Sequence, residues 1–199
     1  MIPKLLYIFR TAPCSGSVEL DHYDDSLRAA LSSLLNIEMS PSVWNQASLP
    51  LRWGGIGVRS AHRLAPSAFL ASAAGAAELL SLLLPARVLA TPDPAVGRAE
   101  EMWKGMGGVV TPTGPAAMAQ RNWDEVISRE AAGRLREGAD ERTLARLLAS
   151  CAPESGVWLN AIPSASLGLN LDDSALRVAI GLRLGGLSGW HTSVPAAHQ

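Results

Sequence analysis

Residues 49–60 read LPLRWGGIGVRS and lead directly into a stretch of small and apolar residues, 61–84. Glycine occupies three of the four positions in 54–57. Glycine is the residue that adopts positive φ, or that lets another segment approach the backbone closely. The sequence therefore predicts a tight turn or a small hairpin at residues 51–58, followed by a tightly packed core helix.

The apolar pattern of the rest of the chain is that of helices. In residues 23–35 the apolar side chains repeat at i, i+3, i+4, i+7 and i+8, which is one face of an α-helix. Further helices are predicted at 154–162 and, after Asp172-Asp173-Ser174, up to Leu184. We predict an all-α fold of two small helical bundles, divided into an N-terminal subdomain (1–85), a Pro/Gly-rich linker with a short helix (86–114), a C-terminal subdomain (115–185) and a disordered tail (186–199).

Composition limits the classes of function. The 199 residues are 48% hydrophobic and carry a net charge of −1, which argues against a dominant electrostatic grip on nucleic acid. Cys14 and Cys151 have neither zinc-site nor disulfide-framework spacing, so a reducing, intracellular compartment (cytoplasm or nucleus) fits best. Residues 64–84 are long enough to span a bilayer, but Pro66 and Glu78 favour a core helix, and we predict no membrane contact.

Several short blocks together resemble a known family. They are WNQASLP (44–50), GGIGVRS (54–60), LAPSAFLAS (64–72), SGVWLNAIP (155–163) and LRVAIGLRLG (176–185). This set resembles the helical region that follows the polymerase core of LINE-type (non-LTR) retrotransposon reverse transcriptases, where a Trp, a Pro and a GGLG-like turn introduce the helices. The resemblance implies a non-catalytic fragment of a retroelement protein that would help to hold template RNA or DNA.

The resemblance does not extend to catalytic residues. Tyr23-Asp24-Asp25 lacks the residue that separates Tyr from the aspartates in the polymerase Tyr-x-Asp-Asp motif, and a two-metal site needs further carboxylates. We predict that these aspartates, like Asp172, cap helix N-termini, and that Arg177 and Arg183 form ion pairs or face solvent. We therefore predict no enzymatic activity, no cofactor and no metal site.

One interval of the chain combines cations with an aromatic residue. No acidic residue occurs between Glu38 and Glu78. The candidate nucleic-acid-binding residues in this interval are Arg52, Trp53, Arg59, His62 and Arg63. Interleaved Arg and Trp suit phosphate pairing and base stacking, which predicts weak binding to RNA or single-stranded DNA. In the simpler interpretation, Trp53 packs against the turn and the arginines only solubilise it.

Two other functions remain open. The chain is alternatively a helical protein–protein interaction module that pairs with another chain through its alanine-rich helix and binds no nucleic acid. A third hypothesis, an unrelated enzyme, has no motif to support it. A solvent-facing stripe of the cations would favour nucleic acid, whereas an exposed apolar face on residues 67–84 would favour a protein partner.

Overall fold

The computed structural model describes residues 2–161, 164, 166, 168 and 170–186, and its regular secondary structure is helical throughout. The α-helices are α1 (Ile2–Thr11), α2 (Val18–Leu35), α3 (Pro41–Ala47), α4 (Ala61–Leu83), α5 (Ala86–Leu89), α6 (Pro94–Gly105), α7 (Gln120–Glu137), α8 (Glu141–Cys151) and α9 (Asp173–Leu184). Short 3₁₀ segments lie at Leu51–Trp53, Gly114–Met118 and Val157–Asn160. The predicted all-α class is confirmed. All but the first residue of the predicted tail, 186–199, lies outside the described residues.

Helix α4 is the centre of the fold, and it contacts α1, α2, α6 and α7. Its first half is buried because small residues let the neighbouring helices approach: Ala65 and Ala68 are fully buried and pack in one cluster with Phe9 of α1. The second half of α4 is exposed, so the predicted core helix is a core element over only part of its length.

A pair of tryptophans anchors α6 and α7 to α4. The rings of Trp103 and Trp123 meet edge to face, with centroids 5.0 Å apart and an interplanar angle of 76°. Trp103 is fully buried and its Nε1 donates to the Trp123 carbonyl at 3.2 Å. Leu70 and Ala71 of α4 belong to the same cluster. The segment predicted as a linker, 86–114, thus supplies a core residue.

The last helix of the described residues, α9, packs against the end of α2. Ile180 and Leu184 of α9 share a buried cluster with Leu35 and Ile37, at and just after the end of α2. Helix α9 also contacts α3 and α8. The predicted N-terminal and C-terminal halves consequently share apolar clusters across the predicted boundaries.

Two predicted helix starts differ from the structure. Helix α2 begins at Val18, about five residues before the apolar repeat that marked it, so Asp24 lies inside the helix. The predicted helix at 154–162 is reduced to the 3₁₀ segment Val157–Asn160 within the described residues, because Glu154 has φ +66°, outside the helical region.

Asp24 caps a different helix from the one predicted. Its Oδ2 accepts a hydrogen bond from the Ser60 hydroxyl at 2.5 Å, and its Oδ1 accepts from the Ala61 N–H at 2.7 Å. The His62 N–H also donates to Oδ2, at 3.3 Å. These N–H groups open α4, where a carboxylate satisfies free donors and complements the helix dipole. The capping role is thus present, and it ties α2 to α4.

Candidate functional site

The glycine segment forms a tight turn and not a hairpin. One turn of 3₁₀ helix, Leu51–Trp53, closes at Gly54 with φ +84°, and Gly57 has φ +77°. A Cβ added to Gly55 would lie 2.0 Å from the Leu49 carbonyl oxygen. Both predicted reasons for glycine, positive φ and close backbone approach, are therefore present in this turn.

A buried arginine on α9 links that helix to the glycine turn through hydrogen bonds. Arg183 is 7% exposed; its Nε donates to the Gly55 carbonyl at 2.9 Å, and its Nη2 donates to Leu51 and Ser150 carbonyls at 2.9 and 3.0 Å. Its Nη1 donates to the Ser155 carbonyl at 3.2 Å. Burial lowers the pKa of the Arg183 guanidinium. The prediction that Arg183 pairs with an acid or faces solvent is wrong, because main-chain carbonyls surround it.

Two further side chains complete this network. Gln46 Nε2 donates to the carbonyls of Gly54, at 3.0 Å, and Arg183, at 2.9 Å. Arg146 Nη1 donates to Gln46 Oε1 at 2.8 Å and to the Arg183 carbonyl at 2.5 Å. The first and last blocks of the family resemblance therefore meet in the fold. Gln46 of the first block and Arg183 of the last are linked through hydrogen bonds to main-chain carbonyls. Sequence reasoning missed this, although Arg183 lies on the same helix face as Ile180 and Leu184.

The candidate nucleic-acid residues contact other side chains of the same chain. Arg52 forms an ion pair with Glu125, and Arg59 Nη2 lies 2.8 Å from Asp124 Oδ2. Burial raises the pKa of the Asp124 carboxyl, and the charge of Arg59 opposes that shift. Both acids belong to α7, more than 60 residues further along the chain. Two of the three arginines of this interval, Arg52 and Arg59, are thus matched by negative charge from elsewhere in the fold.

His62 and Arg63 point in different directions. His62 Nδ1 lies 2.8 Å from Asp21 Oδ1, on α2. Arg63 Nη2 donates to Asn45 Oδ1, on α3, at 3.2 Å. The predicted cations therefore contact three different helices and do not form a single row of free charges.

Trp53 packs within the turn region. The Arg136 guanidinium carbon lies 6.0 Å from the centroid of its ring, at the outer limit of a cation–π contact. The Trp53 Nε1 atom is buried and has no hydrogen-bond partner among the described residues. The ring is half-buried, so only part of its face is open for stacking.

The end of α4, together with α5, exposes a run of large aliphatic side chains. We call this set the leucine patch: Leu79, Leu80, Leu82, Leu83, Leu84, Val88 and Leu89. Their exposed fractions range from 38% at Leu84 to 79% at Leu82. Soluble monomers rarely expose contiguous apolar surface of this kind unless it binds something. The part of the patch at 79–84 lies within the range 67–84, where an exposed apolar face would favour a protein partner.

Helix α4 is also long and apolar enough, by length and composition, to cross a membrane. Its most apolar 18-residue window has a mean hydropathy of 1.4, and 28% of that window is buried. The core helix of a soluble protein can have the same length and composition, and the first half of α4 is packed in that way here. The length of α4 is therefore weak evidence for a membrane span.

The described part of the chain holds no group of three or more His, Cys, Asp or Glu residues placed to bind a metal ion. Comparisons with protein-family models, with curated proteins and with solved structures found no match. The resemblance to LINE-type reverse transcriptases accordingly stays a prediction. We therefore take the leucine patch, which is a surface, as the candidate interaction site.

Proposed function

We propose that this chain is a non-catalytic helical interaction module, acting inside the cell, that binds a second copy of itself through the leucine patch. The exposure of seven large aliphatic residues within eleven positions, 79–89, carries the proposal. Burying their exposed surface is worth on the order of 5–10 kcal/mol before association costs, at about 1.5–3 kcal/mol for each fully buried side chain.

Charge around the leucine patch favours self-association. Glu78 precedes the patch on α4, and Arg87 lies within its range on α5. If two copies pair antiparallel about a twofold axis that passes midway between these two residues, Glu78 of each copy lies near Arg87 of the other. A twofold contact of this kind uses the same surface on both subunits and closes on itself.

The retroelement hypothesis adds a context to this proposal. If the chain is the retroelement region that it resembles, the module would follow a polymerase core, and self-association would join two polymerase-containing proteins. Weak RNA or single-stranded DNA binding ranks below self-association, because Arg52, Arg59 and His62 each contact an acidic side chain and are less available to phosphates.

The decisive experiment measures molar mass by light scattering over a micromolar concentration series. The wild-type chain is expected to shift from monomer to dimer, and Leu82→Glu is expected to remain monomeric. Val109→Glu is the matched control, because Val109 is 78% exposed and lies outside the leucine patch. A wild-type chain that stays monomeric throughout, or an equal effect of Val109→Glu, would refute self-association.

Charge reversal tests the antiparallel arrangement. Glu78→Arg is expected to weaken the dimer by placing like charges opposite each other, and adding Arg87→Glu is expected to restore it. Two further measurements distinguish the alternatives. Wild-type binding to phosphatidylcholine–phosphatidylserine vesicles without a dimer would indicate a membrane surface, and low-salt binding to a fluorescent oligo(dT) without a dimer would indicate nucleic acid.

A further inference from the structure

A cavity of about 350 Å³ lies between α3, the first turn of α4, the end of α6 and α7. One part of its wall is apolar and the other is polar and cationic. The apolar residues are Met106, Ile127, Ala131 and Leu135, and the polar ones are Ser42, Asn45, Arg63 and Arg134. Small-molecule sites typically have this size and combine an apolar lining with a few polar groups.

The two arginines of the wall differ in how their charge is matched. Arg134 Nε donates to Glu130 Oε1 at 3.1 Å, which forms an ion pair. Arg63 has no carboxylate within salt-bridge distance among the described residues, and its hydrogen bond to a side chain is the one to Asn45 Oδ1 at 3.2 Å. A guanidinium has five N–H groups, so most of the donors of Arg63 remain for a ligand.

The surroundings of Arg63 are unfavourable for its charge. Burial lowers its pKa, and the nearby charges of Arg134 and Arg59 lower it further, while that of Asp24 opposes the shift. A half-buried cation without a counterion is costly unless an anion completes its environment. The wall of the cavity thus carries one positive charge in excess.

We propose that this cavity binds a small organic monoanion, a carboxylate attached to a compact apolar body. The carboxylate accepts paired hydrogen bonds from Arg63, and the apolar body packs against Ile127 and Leu135. A single negative charge matches the one unmatched guanidinium, whereas a phosphate monoester carries nearly two charges and leaves negative charge in excess. None of these residues belongs to the leucine patch.

Benzoate is the probe, and the full-length purified chain is the sample. Benzoate is expected to bind with a Kd of about 1 mM, given the usual affinity per atom of very small ligands. At about twentyfold that concentration, the melting temperature is expected to rise by about 4–7 °C. Benzamide has the same shape without the charge and is expected to shift it by less than about 1 °C.

Three variants test whether Arg63 is responsible for the rise in melting temperature with benzoate. Arg63→Met is expected to lose the benzoate shift while keeping an unliganded melting temperature equal to or above that of the wild type, since it removes an unmatched charge. Arg63→Lys keeps a charge without the planar fork and is expected to weaken binding about tenfold. Arg129→Gln is the control, because Arg129 lies on the same helix outside the cavity and is expected to leave the shift unchanged.

Several results would overturn the proposal. They are the absence of a benzoate shift, an equal shift with benzamide, or an undiminished shift in Arg63→Met. If Arg63→Met does not fold, benzoate binding to Arg63→Lys that is as strong as in the wild type would also overturn the proposal. A larger shift with inorganic phosphate than with benzoate would show that the cavity takes a different class of anion.

Discussion

Replacing Arg183 with Met removes a planar donor from four main-chain carbonyls but keeps most of the apolar stem. Three acceptors retain another partner: Leu51 O keeps the Gly54 N–H at 3.0 Å, Ser150 O keeps the Ser155 hydroxyl at 2.6 Å, and Ser155 O keeps Trp158 Nε1 at 3.2 Å. The Gly55 carbonyl has no other partner among the described residues.

The expected cost of this change follows from those contacts. Leaving the Gly55 carbonyl unsatisfied costs about 1–3 kcal/mol, and each charged hydrogen bond lost elsewhere adds about 1 kcal/mol or more. Removing a desolvated charge offsets part of this loss. We expect Arg183→Met to lower the free energy of unfolding by about 2–4 kcal/mol, and Arg183→Lys to cost nearly as much because an ammonium cannot reach the same carbonyls.

Urea unfolding followed by far-ultraviolet circular dichroism measures the change. For Arg183→Met, the midpoint is expected to fall by about 1–2 M, given the usual dependence of unfolding free energy on urea. Arg177→Met on the same helix is the control; Arg177 donates through Nε to the Leu34 carbonyl at 2.9 Å, and its loss is expected to cost under about 1 kcal/mol. Equal midpoints for the two variants, or a wild-type midpoint for Arg183→Met, would refute the reasoning.

Further substitutions test the turn and the cap in the same urea assay. Gly55→Ala is expected to lower the free energy of unfolding by about 3 kcal/mol or more, since its Cβ would meet the Leu49 carbonyl oxygen at 2.0 Å. Gly57→Ala has open space around its Cβ and is expected to cost only the strain of its positive φ, about 1–2 kcal/mol. Equal costs would contradict this contrast. Asp24→Asn is expected to cost about 2 kcal/mol through the lost cap of α4, whereas a cost below about 0.5 kcal/mol would show that the cap contributes little.

Local sequence patterns predicted most of the secondary structure. The run of small and apolar residues after the glycine turn located α4, and the Asp172-Asp173-Ser174 start located α9, almost to the residue, because helix formation and capping depend largely on neighbours a few positions apart. The glycine turn was also predicted, because positive φ and close approach are local demands on the backbone. Where the local backbone preference and the packing of the fold agree, the sequence alone predicts the secondary structure.

The parts that sequence did not predict are those that depend on contacts distant along the chain. The aspartates of α2 were expected to cap their own helix, yet Asp24 caps α4, 37 positions from its Ala61 partner. The arginines of the glycine segment were expected to pair with phosphates or only to solubilise the turn, yet Arg59 meets Asp124 on α7. A count of charges within one interval cannot reveal the acids that the fold brings beside it.

The composition of α4 explains why its exposed end is a candidate interface. The buried first half combines small residues such as Ala65 and Ala68 with Leu64 and Leu70, whereas four leucines between Leu79 and Leu83 are exposed. Burying a leucine contributes more to stability than burying an alanine, and these four leucines do not make that contribution in the monomer. In the self-association that we propose, they gain their burial against a second copy, which the light-scattering experiment on Leu82→Glu tests directly.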